Sequence, residues 1–231
     1  MKKLAKVWNN NKGFIVFIFL LLFFRSAIAD WYHVPSGSMQ PTILIGDRVY
    51  VDKLAFDVKI PFTDINLNRH AEPQAGDVIV FDSKVSGNRL IKRVVGVPGD
   101  IVELRNNRLY INHEPVNIEL IEYPASFDQF LNDRHLATYY RESLETEQLS
   151  MTSHDIRIRT DRFDRGSSFP AIEIPEDSYW VMGDNRDNSA DSRVIGFVPR
   201  SELIGRAESV VISFNKSNLY LPREGRYSVK L

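Results

Sequence analysis

An unbroken apolar run, residues 14–24 (FIVFIFLLLFF), dominates the start of the chain. It has no polar face, so as a helix it belongs in a core or a bilayer. Counted from Gly13 to Ala29, with Arg25 included, the stretch is 17 residues long, roughly 25 Å as a helix and at the lower limit for a bilayer core. After residue 30 the pattern changes to short runs rich in Val, Ile and aromatics, which predict strands. These runs are residues 48–53 (RVYVDK), 77–81 (DVIVF), 90–97 (LIKRVVGV), 101–104 with 109–111, 178–182 (SYWVM) and 207–214 (AESVVISF). Gly-Asp turn signals stand beside several of them, at Gly46-Asp47, Gly76-Asp77, Gly99-Asp100 and Gly183-Asp184. Asn106-Asn107 reads as a hairpin turn. Helical periodicity does not recur between the strands, which argues against βαβ units. Residues 112–170 are more polar and lack period-2 runs; they read as a cap inserted in a β core, with a short helix around 124–144.

The expected organisation is a mainly β protein with one N-terminal transmembrane helix. Residues 1–12 form a basic N-terminus and 13–29 an anchor. The β core takes in about 30–111 and 171–231, and the cap about 112–170. Lys12 and Arg25 can snorkel, and Trp8, Trp31 and Tyr32 lie where interfacial aromatics are expected. The preceding lysines place the N-terminus in the cytoplasm and residues 30–231 outside. The rival for the same segment is a cleaved secretory signal, since Ala27-Ile28-Ala29 is an A-x-A pattern followed by Asp30.

Charge narrows the partners. The chain of 231 residues carries 29 basic and 30 acidic side chains, a net charge of −1. Residues 1–29 hold five bases and no acid, leaving 24 bases against 30 acids beyond. An acidic main body lacks the basic face that nucleic-acid phosphates require. There is no cysteine, which excludes thiol catalysis, disulfides and thiolate metal sites.

Three segments carry candidate chemistry. In Pro35-Ser36-Gly37-Ser38-Met39-Gln40-Pro41-Thr42, two prolines and a glycine can hold one hydroxyl exposed beside a second hydroxyl or a backbone N–H. The same composition also makes an ordinary surface turn. In residues 88–100, Lys92 shares a strand face with the apolar Leu90 and Val94, where desolvation lowers an amine pKa. An ordinary lysine needs roughly 4.6 kcal/mol to deprotonate at neutral pH. The competing reading is an exposed edge-strand lysine. Arg93, alternating with Lys92, is expected to be solvated. In Gly183-Asp184-Asn185-Arg186-Asp187-Asn188-Ser189-Ala190-Asp191-Ser192-Arg193, calcium-loop spacing fails at Ser192 and Val198. A cross-linked polar loop fits better: Asp191 and Arg193 can pair, and Ser189 can bond a buried amine. His33, His70, His113, His135 and His154 lie in no comparable motif, and neither a G-x-S-x-G elbow nor H-E-x-x-H is present.

Together these segments closely resemble bacterial type I signal peptidases, the leader peptidase family of Ser/Lys proteases. P-S-G-S-M-Q-P-T, I-K-R-V-V-G-V-P-G-D and G-D-N-R-D-N-S-A-D-S-R occur in family order, followed by Gly196–Pro199 (GFVP) and Gly205-Arg206-Ala207. The resemblance covers about residues 25–110 and 171–214 and is weak across 112–170. It implies Ser38 as nucleophile and Lys92 as general base. It implies Ser36 and the Ser38 N–H as oxyanion hole, Ser189 as orienter of Lys92, and Asp191–Arg193 as a supporting ion pair. Val34, Pro35, Met39, Ile43, Leu90 and Ile91 match positions that shape the pockets for small residues before the cleaved bond. It further implies a coiled β-sheet catalytic domain with a smaller inserted region, and neither cofactor nor metal. The expected setting is the bacterial inner membrane, single-pass, with the catalytic domain on the periplasmic side. The expected partners are preproteins and the lipid bilayer, with a monomeric enzyme. The chain departs from many Gram-negative relatives in having one apparent membrane segment and no cysteine. Self-cleaving repressor-like proteases share the Ser/Lys chemistry but lack an anchor and the long polar run.

Overall fold

The structure, a computed structural model, describes residues 2–63, 65–122, 137–145, 151–159, 167–215 and 218–231. The helix α1 (Lys2–Ala27) leads into β1 (Ala29–His33), β2 (Asp47–Asp52) and the hairpin β3 (Asp57–Lys59) and β4 (Asn66–Arg69). Next come β5 (Val78–Ser83), β6 (Asn88–Gly96), β7 (Ile101–Arg105), β8 (Arg108–Ile111), β9 (Glu114–Pro115) and β10 (Asn117–Ile121). They are followed by β11 (Ala137–Glu145), β12 (Met151–Arg159), β13 (Phe169–Glu173), β14 (Ser178–Met182) and the one-turn α2 (Ser192–Ile195). The chain closes with β15 (Val198–Pro199), the long β16 (Leu203–Asn215), β17 (Leu221–Pro222) and β18 (Val229–Lys230).

The protein is mainly β. The runs of apolar residues at 48–53, 77–81, 90–97, 178–182 and 207–214 all become strands of one nine-stranded sheet, ordered β1-β2-β16-β5-β6-β14-β15, with β17 and β18 also on β16. Its pairings are antiparallel. β16 supplies the curvature: its register shifts against both β2 and β5, and such bulges bend and twist a strand. Val34, Met39, Ile43, Val49, Val51, Val78, Val80 and Val210 fill one cluster. Phe56, Ile79, Phe81, Val94, Tyr179, Val181 and Leu203 fill another. A four-stranded sheet, β13-β7-β8-β9, packs on the far end of β6 through Val95, Val102, Leu104, Leu109, Ile174 and Trp180.

Three Gly-Asp turns share one construction. Gly46, Gly76 and Gly99 have φ of 97°, 97° and 85°. Each following aspartate accepts the N–H three residues before it, from Leu44, Gln74 and Val97. Asn106 and Asn107, at φ of 50° and 64°, make the expected hairpin turn between β7 and β8.

Between residues 112 and 170 the expected helix gives way to strand over 137–144, and 123–136 lie outside the described residues. β10, β11 and β12 form their own antiparallel sheet. Its buried positions hold Glu142 and His154 beside Leu144 and Ile156, so polar core residues mask the apolar alternation that would have marked these strands.

α1 is 26 residues long, but its apolar run is bracketed by Lys12 and Arg25. No helix among the described residues is long and apolar enough to cross a membrane. The side chains of α1 nonetheless stand outside the core: Phe14, Phe17, Phe19 and Leu20 are each more than half exposed.

Candidate active site

Lys92 lies on β6, inside the large sheet between β5 and β14. Ile79 faces it across β5. On the other side, pairing with β14 ends at Met182↔Arg93, and the chain turns away as Gly183-Asp184-Asn185. Lys92 is 2% exposed. Its Nζ lies 2.7 Å from Ser38 Oγ and donates to the Ile91 carbonyl at 2.9 Å. Burial lowers its pKa to about 8, against the opposing pull of Asp191 and Asp184; Arg193 adds to the lowering. That shift cuts the cost of a neutral amine at pH 7 from about 5 to about 1 kcal/mol.

Ser38 is brought to this amine by the loop between β1 and β2. Val34 N–H donates to the Asp47 carbonyl and Gly46 N–H returns to the Val34 carbonyl, closing the loop's base. Val34, Met39 and Ile43 are buried beneath it. Its crest is pinned by the segment beyond β14: the Asn185 N–H donates to the Ser38 carbonyl at 3.0 Å, and Asn185 Nδ2 to the Gly37 carbonyl at 2.9 Å. Gly183 permits this approach, because a Cβ there would stand 2.5 Å from the Ser38 carbonyl oxygen. Ser36 is exposed and Ser38 buried. Among the described residues, neither the Ser36 hydroxyl nor the Ser38 N–H has a protein acceptor. The Ser38 N–H belongs to the same residue as the hydroxyl and Ser36 stands two residues before it in the loop; N–H and O–H donors of this kind can receive a developing oxyanion.

Asp191 and Arg193 pair through two hydrogen bonds of 2.9 Å each. Asp191 also accepts the Gly183 N–H at 2.9 Å and caps α2 at the Arg193 N–H. Burial pushes its carboxyl up, but the Arg193 hydrogen bonds and charge and the Gly183 N–H together hold it below its usual value. Arg193 also donates to the Arg186 carbonyl. The pair therefore fixes the Gly183 backbone against which Ser38 rests. Ser189 packs on Gly183, but it is not among the hydrogen-bond partners of the Lys92 amine.

Of the apolar residues singled out from the sequence, Val34, Met39, Ile43 and Ile91 pack in one cluster. Leu90 packs in the other, with Ile79, Phe81 and Val94. Pro35 is exposed.

Arg93 corrects the sequence reading. It is 2% exposed rather than solvated. Its guanidinium forms two bonds of 2.9 Å with Asp184 and donates to the Gly76 carbonyl at 2.7 Å. Both faces of β6 are covered here, so alternation does not lead to solvent. Asp184 also accepts from Thr42 Oγ1, four residues after Ser38. Behind it, His154 Nε2 lies 3.3 Å from Glu142, and Glu142 pairs with the fully buried Arg186. Burial pushes Glu142 up, yet the Arg186 charge and the hydrogen bonds of His154 and Arg186 hold it at about 2. Burial, reinforced by Arg93, depresses His154. Sequence reasoning missed Thr42, Arg93, Asp184, Glu142, His154 and Arg186 as one network. Thr42, Arg93, Asp184 and Arg186 stood within the three motifs quoted from the sequence, whereas Glu142 and His154 carried no such signal.

The family model described as "Signal peptidase, peptidase S26" matches residues 7–212. Signal peptidase I of Pseudomonas fluorescens is 34% identical over 229 residues, covering 94% of this chain and 76% of the relative. That of Pseudomonas aeruginosa is 36% identical, covering 88% and 72%. That of Aquifex aeolicus is 34% identical, covering 82% and 78%. A crystal structure of a signal peptidase I from Enterococcus faecalis V583 aligns with 59% of this chain and 97% of its own, at 31% identity and a TM-score of 0.35.

Proposed function

The chain belongs to the signal peptidase family, peptidase S26, and from that premise we propose that it cleaves signal peptides with Ser38 as nucleophile and Lys92 as general base. The family's members are serine endopeptidases, and this chain is one of them. The observation that carries the assignment of roles is the 2.7 Å separation of Lys92 Nζ from Ser38 Oγ, with the amine buried. Neutral Lys92 takes the Ser38 proton as the oxygen attacks the scissile carbonyl. The oxyanion forms against the Ser36 hydroxyl and the Ser38 N–H. The lysinium protonates the leaving amine, and Lys92 then activates the water that hydrolyses the acyl-enzyme. The Ile91 carbonyl, holding one amine proton, orients the base. Asp191 and Arg193 position the site through the Gly183 backbone. Ser189 supports that backbone by packing.

The same reading makes α1 a membrane anchor, with the N-terminus cytoplasmic and the catalytic domain on the outer face of a bacterial inner membrane. The exposed phenylalanines and leucines of α1, with lysines in its first half and Arg25 near its end, support this. The partners are preproteins cut after A-x-A-like sites by a monomeric enzyme that needs no cofactor or metal. Ser38 is nine residues beyond Ala29, so the chain holds it within about 30 Å of the membrane exit.

The test is incubation of the detergent-solubilised protein with a preprotein, beside Ser38→Ala and Lys92→Ala variants, with N-terminal sequencing of all products. Cleavage after the signal peptide by the parent protein alone is expected. Near-full activity of Lys92→Ala would remove the dyad, and cuts confined to the enzyme itself would identify a self-cleaving regulator.

A further inference from the structure

The sheet of β10, β11 and β12 grips the segment beyond β14 at two points. Glu142 on β11 and His154 on β12 stand directly opposite each other across the strand pair. Glu142 reaches the Arg186 guanidinium, and the Arg157 N–H of β12 donates to the Asp184 carbonyl at 2.8 Å. The His154 ring lies between these contacts, its side chain 3% exposed. Its Nε2 is 3.3 Å from a Glu142 carboxylate oxygen and 3.9 Å from one of Asp184. Thr152, two residues earlier on the same face of β12, packs on Gly76, whose carbonyl accepts from Arg93.

Asp184 is where this sheet meets the chemistry. Its carboxylate holds Arg93, the neighbour of Lys92 on β6, through two bonds of 2.9 Å. It also accepts from Thr42 Oγ1 in the Ser38 loop. One side chain thus ties the strand of the proposed base to the loop of the proposed nucleophile. Its weak point is electrostatic, because two buried carboxylates converge on one ring nitrogen and like charges repel strongly in a dry interior. Each has its own guanidinium, Arg93 or Arg186. Carboxylates only accept, which assigns the ring proton to Nε2; Nδ1 has no partner among the described residues. Burial, reinforced by the Arg93 charge, disfavours the charged imidazolium, so the ring serves as a neutral donor.

We propose that His154 is a positioning residue for the cleavage reaction: its Nε2–H, placed between Glu142 and Asp184, holds Asp184 where it fastens both Arg93 and Thr42, so that the inserted sheet sets the approach of Ser38 to Lys92. The proposal rests on the reading of those two residues as the catalytic pair. Without the N–H the carboxylates face each other unscreened, and Asp184 relieves the repulsion by withdrawing from Arg93 and Thr42. Such a shift slows the chemical step and leaves substrate affinity largely alone.

Three variants of the full-length protein separate this role from packing. In His154→Gln the amide N–H reaches the place of Nε2; in His154→Asn it reaches only that of Nδ1; His154→Leu fills the space alone. Each is assayed for steady-state cleavage of a preprotein beside Lys92→Ala, with near-ultraviolet circular dichroism and urea denaturation to establish folding. The expected result is a kcat at least about tenfold lower for Asn and Leu at a KM within about twofold, and recovery by Gln to within about threefold of the parent. Should His154→Leu not fold, the Asn and Gln variants decide. Asn at the parent kcat, or Gln as slow as Asn, overturns the proposal, as does a rise in KM in place of the fall in kcat. Near-full activity of Lys92→Ala overturns the catalytic pair and this inference with it. An inactive Lys92→Ala beside an unresponsive His154 series overturns the inference alone.

Discussion

Lys92 makes opposite demands on activity and stability. With its pKa lowered to about 8, the proposed base gains its neutral form as pH rises. The single-turnover rate of acylation should therefore climb through about pH 8 and level off above it, and rapid-quench measurements from pH 6 to 10 would show the limb. For stability, the folded pKa lies below the ordinary lysine value of 10.5. Below about 8 the amine is charged in both states and its burial cost, on the order of 3 kcal/mol, is fully present. Between 8 and 10.5 the folded chain sheds the proton first, so the cost fades. Lys92→Met should thus be inactive, more stable than the parent at pH 7, and free of this rise in stability on urea titration. The sequence made Lys92 legible because Leu90 and Val94 flank it. It hid Arg93, because alternation fixes which face a residue points to and leaves open whether that face meets solvent.

Among the elements, the weight falls on the short stretch beyond β14. Gly183 lets Ser38 sit in the gap where β14 leaves β6, and a Cβ at 2.5 Å from a backbone oxygen has no flexible neighbour to displace. Gly183→Ala should lower kcat/KM at least a hundredfold while substrate affinity changes little, since small misplacements of reacting groups are costly. The sheet of β10, β11 and β12 reaches the same stretch: the Arg157 N–H donates to the Asp184 carbonyl, and Glu142 pairs with Arg186. Removing one partner of a buried pair costs about 3–5 kcal/mol. Glu142→Ala should show that loss in urea denaturation. Because the Glu142 carboxyl is held at about 2, against an ordinary 4.5, its contribution is fully present above 4.5. It is lost as pH falls towards 2, and the variant's stability should be flatter across that window. The strands of the large sheet were legible as Val- and Ile-rich runs bounded by Gly-Asp turns. β11 and β12 were not, since Glu142 and His154 occupy positions that pattern reading reserves for apolar side chains.

For the whole molecule, the division into a basic apolar leader and an acidic β body was plain from composition, whereas the meeting of residues 38, 92 and 183–185 at one point was legible only through family motifs. Long-range pairing of β16 with both β2 and β5 creates that meeting, and no local rule forecasts it. A chain lacking residues 1–28 retains the site but loses the proposed anchor and the Arg25–Asp30 ion pair. It should cleave a soluble peptide within a few-fold of the parent rate. On a preprotein held in vesicles it should be about a hundredfold slower, having lost the effective concentration that a shared surface supplies. Steady-state assays of both substrates would separate the two effects.

The burial of Lys92 has a consequence in time. Ser38 meets the amine and its loop is held by Asn185, a residue that emerges from the ribosome about ninety residues after Lys92. Until it arrives and docks, the hydrogen bonds that hold the Ser38 loop in place are unmade. Assembly of the proposed pair thus waits on residues made late in the chain, so reactivity depends on folding and not on synthesis alone.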